Sequence, residues 1–143
     1  MCGRRIRSPY NSRGMTRPKP TILVIDDDPD VCSTLRALLD RSYIVETAGD
    51  GLDGYSDTVR LRPAVVLLDL RMPVVDGLTV LRKLRSNPVT ASTPVVILSA
   101  VCGDVARHDY EALRVSAVLQ KPATADELRR ALAAAAGGHT AER

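Results

Sequence analysis

The chain contains no phenylalanine and no tryptophan, and it has only four tyrosines among its 143 residues. Platforms that stack single-stranded nucleic acid and cages that enclose large ligands both depend on several aromatic side chains. The composition therefore argues against these two classes of binding site. It also predicts a hydrophobic core built from aliphatic side chains.

Long hydrophobic runs are missing as well. Apolar runs such as residues 64–68 and 94–98 are far shorter than the roughly 20 residues that a membrane-spanning helix requires. The start of the chain has no apolar stretch of the kind found in signal peptides, so nothing indicates export. We therefore expect no membrane segment and a cytoplasmic location.

Cysteine is scarce and shows no pairing pattern. The three cysteines, Cys2, Cys32 and Cys102, form no C-x-x-C motif, and an odd number is a poor framework for disulfides. This usage fits a reducing cytoplasm. We predict that Cys32 and Cys102 are small packing residues without a role in metal binding.

The positive charge is concentrated at the start of the chain. The net charge is +3, but residues 1–20 hold six basic and no acidic residues, and the remainder holds 14 basic and 17 acidic ones. The length fits one domain. We predict a basic, disordered tail over residues 1–20, a domain over 21–137 and a second tail over 138–143. Contact of the first tail with phosphates or an acidic partner, and translation from Met15, are alternatives.

Short β-branched runs alternate with helical periodicity from Thr21 onwards, which is typical of βα units around a parallel sheet. Several of these runs are almost wholly apolar, as expected when helices cover both faces of the sheet. The predicted class is therefore a doubly wound α/β fold. The predicted strands are residues 21–25, 43–47, 64–68, 94–98 and 117–120. The predicted helices follow Asp28, cover about 52–61, follow Asp76-Gly77, cover about 105–113, and run from Thr124 to Gly137-Gly138.

Polar side chains gather at the carboxyl ends of these strands, which meet at one edge of a parallel sheet. Asp26 and Asp27 follow the first strand, Asp69 the third, Ser99 the fourth and Lys121 the fifth. Clustered carboxylates repel each other, and burial adds to the cost, so such a cluster indicates a cation. Oxygen ligands favour Mg²⁺, which keeps positions open for phosphate oxygens. A lysine and a serine can also meet a phosphoryl group.

Four strings now carry a resemblance to a known family: ILVIDDD at residues 22–28, LDLRMP at 68–73 followed by Asp76-Gly77, Leu98-Ser99-Ala100, and Lys121-Pro122. Their order and spacing resemble the receiver domain of the bacterial response-regulator family, which is CheY-like and is the phosphoacceptor half of two-component signalling. The resemblance covers about residues 21–137. It implies a flavodoxin-like (βα)5 fold with strand order 2-1-3-4-5.

The resemblance also implies roles for individual residues. Asp69 would be the nucleophile that takes a phosphoryl group from a sensor histidine kinase or a phosphotransfer protein. Lys121 would pair with Asp69 and then with the phosphoryl group, and Ser99 would form a hydrogen bond to that group. Pro122 would follow a cis peptide bond that aims the lysine inward.

For the metal, the resemblance implies that Asp27 and Asp69 bind Mg²⁺ directly. The backbone carbonyl of Arg71 would be a third ligand, and Asp26 would act largely through water. Asp28 is predicted to cap the first helix instead of binding the ion.

Two residues depart from the family's usual pattern. Val118 stands where an aromatic residue commonly reports phosphorylation by changing its rotamer, so that readout is in doubt. Arg114 replaces a glycine that often precedes the last strand, so we expect the turn there to have another backbone shape. We expect any coupling to run through residues 99–104 instead of a ring.

The leading hypothesis is a stand-alone receiver that regulates a protein partner, with no direct DNA binding and an open oligomeric state. It would be no enzyme beyond taking part in its own Mg²⁺-dependent phosphorylation and dephosphorylation. A binding-only pseudo-receiver is a second hypothesis, against which Asp69, Ser99 and Lys121 count. A Mg²⁺-dependent phosphatase is the third, but such enzymes place an aspartate two residues beyond the nucleophile, where this chain has Arg71.

Overall fold

The computed structural model describes residues 18–100 and 111–141, and the statements on structure below concern these residues. Five parallel strands form one sheet in the order β2-β1-β3-β4-β5. Both the doubly wound α/β class and the predicted strand order are therefore confirmed. The strands are β1 (Thr21–Ile25), β2 (Ile44–Ala48), β3 (Val65–Asp69), β4 (Val95–Ser99) and β5 (Ala117–Gln120).

Three strands lie one residue further along the chain than predicted. For β3 and β4 the reason is that pairing continues through the polar residue at the strand end: Asp69 pairs with Leu98, and the Lys121 amide donates to the Ser99 carbonyl at 2.7 Å. β2 instead continues to Ala48, which pairs with Ile25. Asp69 and Ser99 are thus the last residues of β3 and β4, held by the sheet itself instead of by a loop.

Four helices are described, and an aspartate caps each of the first three at its amino end. They are α1 (Pro29–Leu39), α2 (Gly51–Leu61), α3 (Gly77–Ser86) and α4 (Ala125–Ala141). The carboxylates of Asp28, Asp50 and Asp76 accept backbone amides of the first turn at 2.8–2.9 Å. The cap predicted at Asp28 is confirmed. The amide of Thr79 lowers the pKa of Asp76.

The last helix agrees with the sequence at its start and differs at its end. Thr124 and Glu127 exchange the two hydrogen bonds of a capping box, at 2.9 and 3.1 Å, as predicted. The helix then continues through Gly137 and Gly138 to Ala141, so the predicted end at these glycines is wrong. Glycine lowers helix stability by about 1 kcal/mol but creates no steric barrier to a helix. The tail boundaries at 1–20 and 138–143 stay predictions.

The helix predicted over about residues 105–113 falls mostly outside the described residues, as do Cys102 and the coupling route through 101–104. Only its end is described, where Glu111 and Ala112 are helical. In the described parts of the chain, no helix combines the length and the hydropathy that crossing a membrane requires.

The core consists of two clusters, one on each face of the sheet. Its buried side chains are aliphatic apart from Tyr43 and Met72, as the composition predicts. One cluster joins α1 and α4 to the sheet, and the other joins α3 to the opposite face. The strands β3 and β4 lie at the centre of the core, and every residue in them is buried. The polar strand ends therefore stand on a rigid, fully covered pair of strands.

Gly77, the first residue of α3, packs directly on the backbone beneath Asp69. Its amide donates to the Leu70 carbonyl at 2.9 Å. A Cβ added at Gly77 would meet the Asp69 carbonyl oxygen, would lie 2.7 Å from the Leu70 Cα and 3.0 Å from the Asp69 carbonyl carbon. Backbone atoms cannot give way as a flexible side chain can, so this position requires glycine.

We expect Gly77→Ala to destabilise the fold by about 3 kcal/mol, because the methyl group overpacks against the strand that ends in Asp69. Gly137→Ala is the matched control, since nothing lies within 4 Å of a Cβ there, and it should stabilise α4 by up to about 1 kcal/mol. Urea unfolding of both variants measures the difference. Similar stabilities for the two variants would contradict the packing described here.

Candidate functional site

Three strand ends carry buried polar side chains at one edge of the sheet. Asp26 is 3% exposed, Asp69 6% and Ser99 3%, whereas the rest of the buried interior is nearly all apolar. A cleft of about 480 Å³ opens above them. Its lining consists of Asp26, Asp27, Asp28, Pro29, Asp69, Arg71, Ala100 and Lys121. Asp26, Asp27, Asp69 and Lys121 thus lie together at this cleft. Ser99, which the sequence analysis placed at the same edge of the sheet, ends the adjacent strand β4 and is not among the lining residues.

Lys121 is the cation that joins the two buried carboxylates. Its Nζ donates to Oδ2 of Asp26 at 2.9 Å and lies 3.6 Å from Oδ1 of Asp69. Each carboxylate also accepts a backbone amide: Asp28 donates to Asp26 at 2.9 Å, and Arg71 donates to Asp69 at 3.2 Å. The orientation of both aspartates is therefore fixed by the backbone of the chain that follows each strand.

The charges in the cleft are not balanced. Burial, followed by the negative charge of Asp26, raises the pKa of Asp69, although the Arg71 amide and Lys121 act in the opposite direction. Burial alone would lower the pKa of Lys121, but the hydrogen bond and charge of Asp26, together with Asp69, raise it. Burial is the larger cause at Asp69, and the neighbouring carboxylates add to it. Three carboxylates stand beside one lysine, and this excess of negative charge favours an additional cation.

Three carboxylates are close enough to share such a cation. One oxygen from each of Asp26, Asp27 and Asp69 lies within 4.8 Å of the other two. Ligands of an octahedral Mg²⁺ ion, at bond lengths near 2.1 Å, stand about 3–4 Å apart. The donor set consists only of hard oxygen atoms, which is what Mg²⁺ selects, so the residues present fit this ion.

The remaining predicted residues divide into those confirmed and those still open. The Lys121–Pro122 peptide bond is cis, as predicted. Asp28 lines the cleft, but its carboxylate is engaged in capping α1. Arg71 also lines the cleft, and the role of its carbonyl in binding a metal stays a prediction.

Of the two departures from the family pattern, only the expectation for Arg114 is tested by the structure, and the missing aromatic readout at Val118 stays a prediction. Val118 lies on the edge strand β5, pairs with Ile97 and is 39% exposed. Arg114 has a φ of 56°, which is the left-handed region that glycine favours. The expectation that Arg114 would give this turn another backbone shape is therefore wrong. Its guanidinium donates to the Ala91 carbonyl at 3.0 Å, which helps to hold the turn.

Cys32 has a contact with the site that the sequence did not predict. It packs against the core as expected, and its thiol donates to the Asp26 carbonyl at 3.5 Å. Burial and the charge of Asp26 raise the pKa of this thiol. The only signal in the sequence is its position near the start of α1, one turn beyond Asp28.

Comparison with known proteins identifies the family. The model of the response regulator receiver domain matches residues 22–133. The chain is 42% identical over 83 residues to the DNA-binding dual master transcriptional regulator RpaA of Synechocystis, covering 57% of this chain and 34% of that protein. It is 30% identical over 119 residues to hybrid signal transduction histidine kinase D of Dictyostelium discoideum, covering 83% of this chain and 8% of that protein. The chain thus spans about a third or less of these relatives.

Solved structures agree with this. The receiver domain of the sensor histidine kinase PA1611 of Pseudomonas aeruginosa, which has a magnesium ion coordinated in its active site cleft, is 27% identical, with a TM-score of 0.76. The similarity covers 84% of this chain and 99% of that one. The chemotaxis protein CheY4 of Vibrio cholerae, at 24% identity and a TM-score of 0.76, shares the fold over 82% of this chain and 99% of that one.

The family match covers all five strands except Thr21, the first residue of β1, and it includes the acidic cluster, Ser99 and Lys121. The chain is homologous to response regulators and to the receiver domains of histidine kinases, which is consistent with a phosphoacceptor switch. It belongs to the response regulator receiver domain family.

Proposed function

We propose that this domain receives a phosphoryl group on Asp69 from a sensor histidine kinase or a phosphotransfer protein, and then regulates a protein partner. The observation that carries the proposal is the buried Asp69 carboxylate, which ends a central strand beside Lys121 and two further carboxylates. The proposal includes a cytoplasmic location and no direct contact with DNA.

Asp69 is the nucleophile in this proposal. One of its carboxylate oxygens attacks phosphorus, the bond from phosphorus to the donor's imidazole nitrogen breaks, and an acyl phosphate forms on Asp69. Lys121, already 3.6 Å from Oδ1 of Asp69, pairs with the oxygens of the transferred group. Ser99, buried at the end of the adjacent strand, donates a hydrogen bond to it.

Asp27 and Asp69 would hold Mg²⁺ directly, with the Arg71 carbonyl as a third ligand and Asp26 acting largely through water. When bound, the ion supplies positive charge that offsets the carboxylates and the transferred phosphoryl oxygens. Asp26 keeps Lys121 in place through the 2.9 Å ion pair. By these means the domain takes part in its own phosphorylation and dephosphorylation, without acting on an external substrate.

We expect Asp69→Ala to abolish labelling by acetyl phosphate, or by a phosphohistidine donor, in the presence of Mg²⁺, because the attacking oxygen is gone. Asp40→Ala, which removes an exposed carboxylate at the end of α1, is the matched control and should label as the unchanged chain does. Undiminished labelling of a folded Asp69→Ala variant would reject Asp69 as the phosphoacceptor.

We expect Asp27→Ala to lower the affinity for Mg²⁺ at least about tenfold, because it removes a direct ligand. Asp28→Ala should lower the affinity less than threefold and instead reduce stability by about 1 kcal/mol, because its carboxylate caps α1. Calorimetric titration and urea unfolding measure the two effects. Equal losses of affinity in the two variants would overturn this assignment.

We expect Asp69→Asn to stabilise the metal-free domain at pH 7. Because the folded state raises the pKa of Asp69, the ionised carboxylate costs stability above its unfolded pKa of about 3.9, and asparagine removes that cost. The difference should shrink as the pH falls through the raised pKa, since Asp69 then becomes neutral as well. Unfolding in chelator at several pH values measures this. A less stable Asp69→Asn variant at pH 7 contradicts the described excess of negative charge.

A further inference from the structure

Arg85, in the last turn of α3, donates to the carbonyl oxygens of five residues outside its own helix. Nε donates to Leu113 at 2.7 Å, and one terminal nitrogen donates to Thr93 at 2.8 Å and Ala91 at 3.1 Å. Longer contacts reach Thr90 at 3.4 Å and Arg114 at 3.3 Å. No carboxylate is among these described partners, so the side chain serves to hold backbone in place.

The accepting carbonyls lie at the entry of two strands. Thr93 stands two residues before β4, and Leu113 and Arg114 stand shortly before β5. Arg114 adds a second link, because its own guanidinium also donates to Ala91. One side chain on α3 therefore ties together the amino ends of the two strands whose carboxyl ends carry Ser99 and Lys121.

The β5 strand has little support of its own, and it is the shortest of the five. It has four residues, it lies at the edge of the sheet and it pairs only with β4. Its first and last ladder bonds join the Ser116 amide to the Val95 carbonyl at 2.8 Å and the Lys121 amide to the Ser99 carbonyl at 2.7 Å. A strand this short, about 3.3 Å per residue, transmits a shift at one end to the other.

We propose that Arg85 is a positioning residue for the phosphoryl-binding half of the site: by fixing the amino end of β5 beside β4, it sets the position of Lys121 relative to Ser99 without touching either. The proposal rests on the proposed function, since it concerns the group that these two residues would bind. The metal-binding half, on β1 and β3, lies outside the reach of Arg85.

Arginine suits this role because its planar guanidinium presents five donors in fixed directions, whereas lysine has three on a flexible stem. Burial, and then the charge of Arg114, lowers the pKa of Arg85 to about 10, so it stays protonated at neutral pH and keeps all its donors. The sequence offered one signal for it: Arg85 continues the stripe of Leu78 and Leu81 at helical spacing, where an apolar residue is expected.

The test compares Arg85→Lys and Arg85→Met with Arg82→Met, an exposed arginine of the same helix. Beryllofluoride, an analogue of the phosphoryl group, is titrated at saturating Mg²⁺, and Mg²⁺ is titrated alone. We expect no loss of Mg²⁺ affinity in any variant, because the carboxylates stay in place on β1 and β3 and a displaced Lys121 would only reduce the positive charge beside them. Beryllofluoride affinity should fall at least about tenfold in Arg85→Met, by a smaller factor in Arg85→Lys, and not at all in Arg82→Met.

Amide hydrogen exchange without metal gives an independent readout. In the Arg85 variants the amides of Ser116 and Lys121 should exchange faster, while that of Asp26, which donates to the Ala48 carbonyl at 3.1 Å, should not. If Arg85→Met does not fold, Arg85→Lys decides the outcome.

Three results overturn the proposal, and they differ in what else they contradict. Unchanged beryllofluoride affinity in folded Arg85 variants overturns the positioning role and leaves the proposed function intact. Parallel losses of Mg²⁺ and beryllofluoride affinity show a general effect on the fold, which also overturns it. Failure of the unchanged chain to bind beryllofluoride with Mg²⁺ contradicts the proposed function itself.

Discussion

The ion pair between Lys121 and the buried carboxylates of Asp26 and Asp69 is the interaction on which the site depends. The lysine and Asp26 are 95 residues apart in the chain, and their contact requires β1, β3 and β5 to end at one edge of the sheet. Two carboxylates at adjacent strand ends repel each other when buried, and an isolated buried charge is more costly still. Lys121, which follows the edge strand β5, therefore links this edge of the sheet to the carboxylates that follow or end the central strands β1 and β3.

This ion pair does not neutralise the cleft, and the remaining negative charge has a cost. The raised pKa of Asp69 shows that the folded state disfavours its charged form. A site assembled for stability alone would contain fewer carboxylates, and the aliphatic clusters on both faces of the sheet must offset the repulsion. The same excess of negative charge attracts a divalent cation. The loss of folding stability and the ability to bind a metal ion therefore have the same cause.

The sequence predicted the strands and the cluster of site residues, because apolar β-branched runs followed by Asp, Ser or Lys are local signals, and the strand order came from the family resemblance. It did not predict three unusual backbone conformations. Arg62, Val74 and Arg114 all have a positive φ, where a sequence would suggest glycine. Val74, which is 98% exposed, stands between Pro73 and Val75, whose carbonyl and amide form a 2.7 Å hydrogen bond around it. The sequence also did not predict the hydrogen-bond partners of Arg85, since these are backbone carbonyls of the segments that precede β4 and β5.

The two halves of the site rest on strands of different rigidity. The carboxylates that would hold a metal stand on β1 and β3, which have a partner on each side, and β3 is buried throughout. Lys121 follows β5, which has one neighbour and alternates between partly buried and exposed residues. If the charge at Asp69 changes, the carboxylates on β1 and β3 are therefore held in place, whereas Lys121 is freer to move. Because Arg85 and Arg114 hold the amino end of β5 beside β4, they supply from outside the sheet part of the constraint that this strand lacks on its open edge, and the position of Lys121 beside Ser99 depends on it.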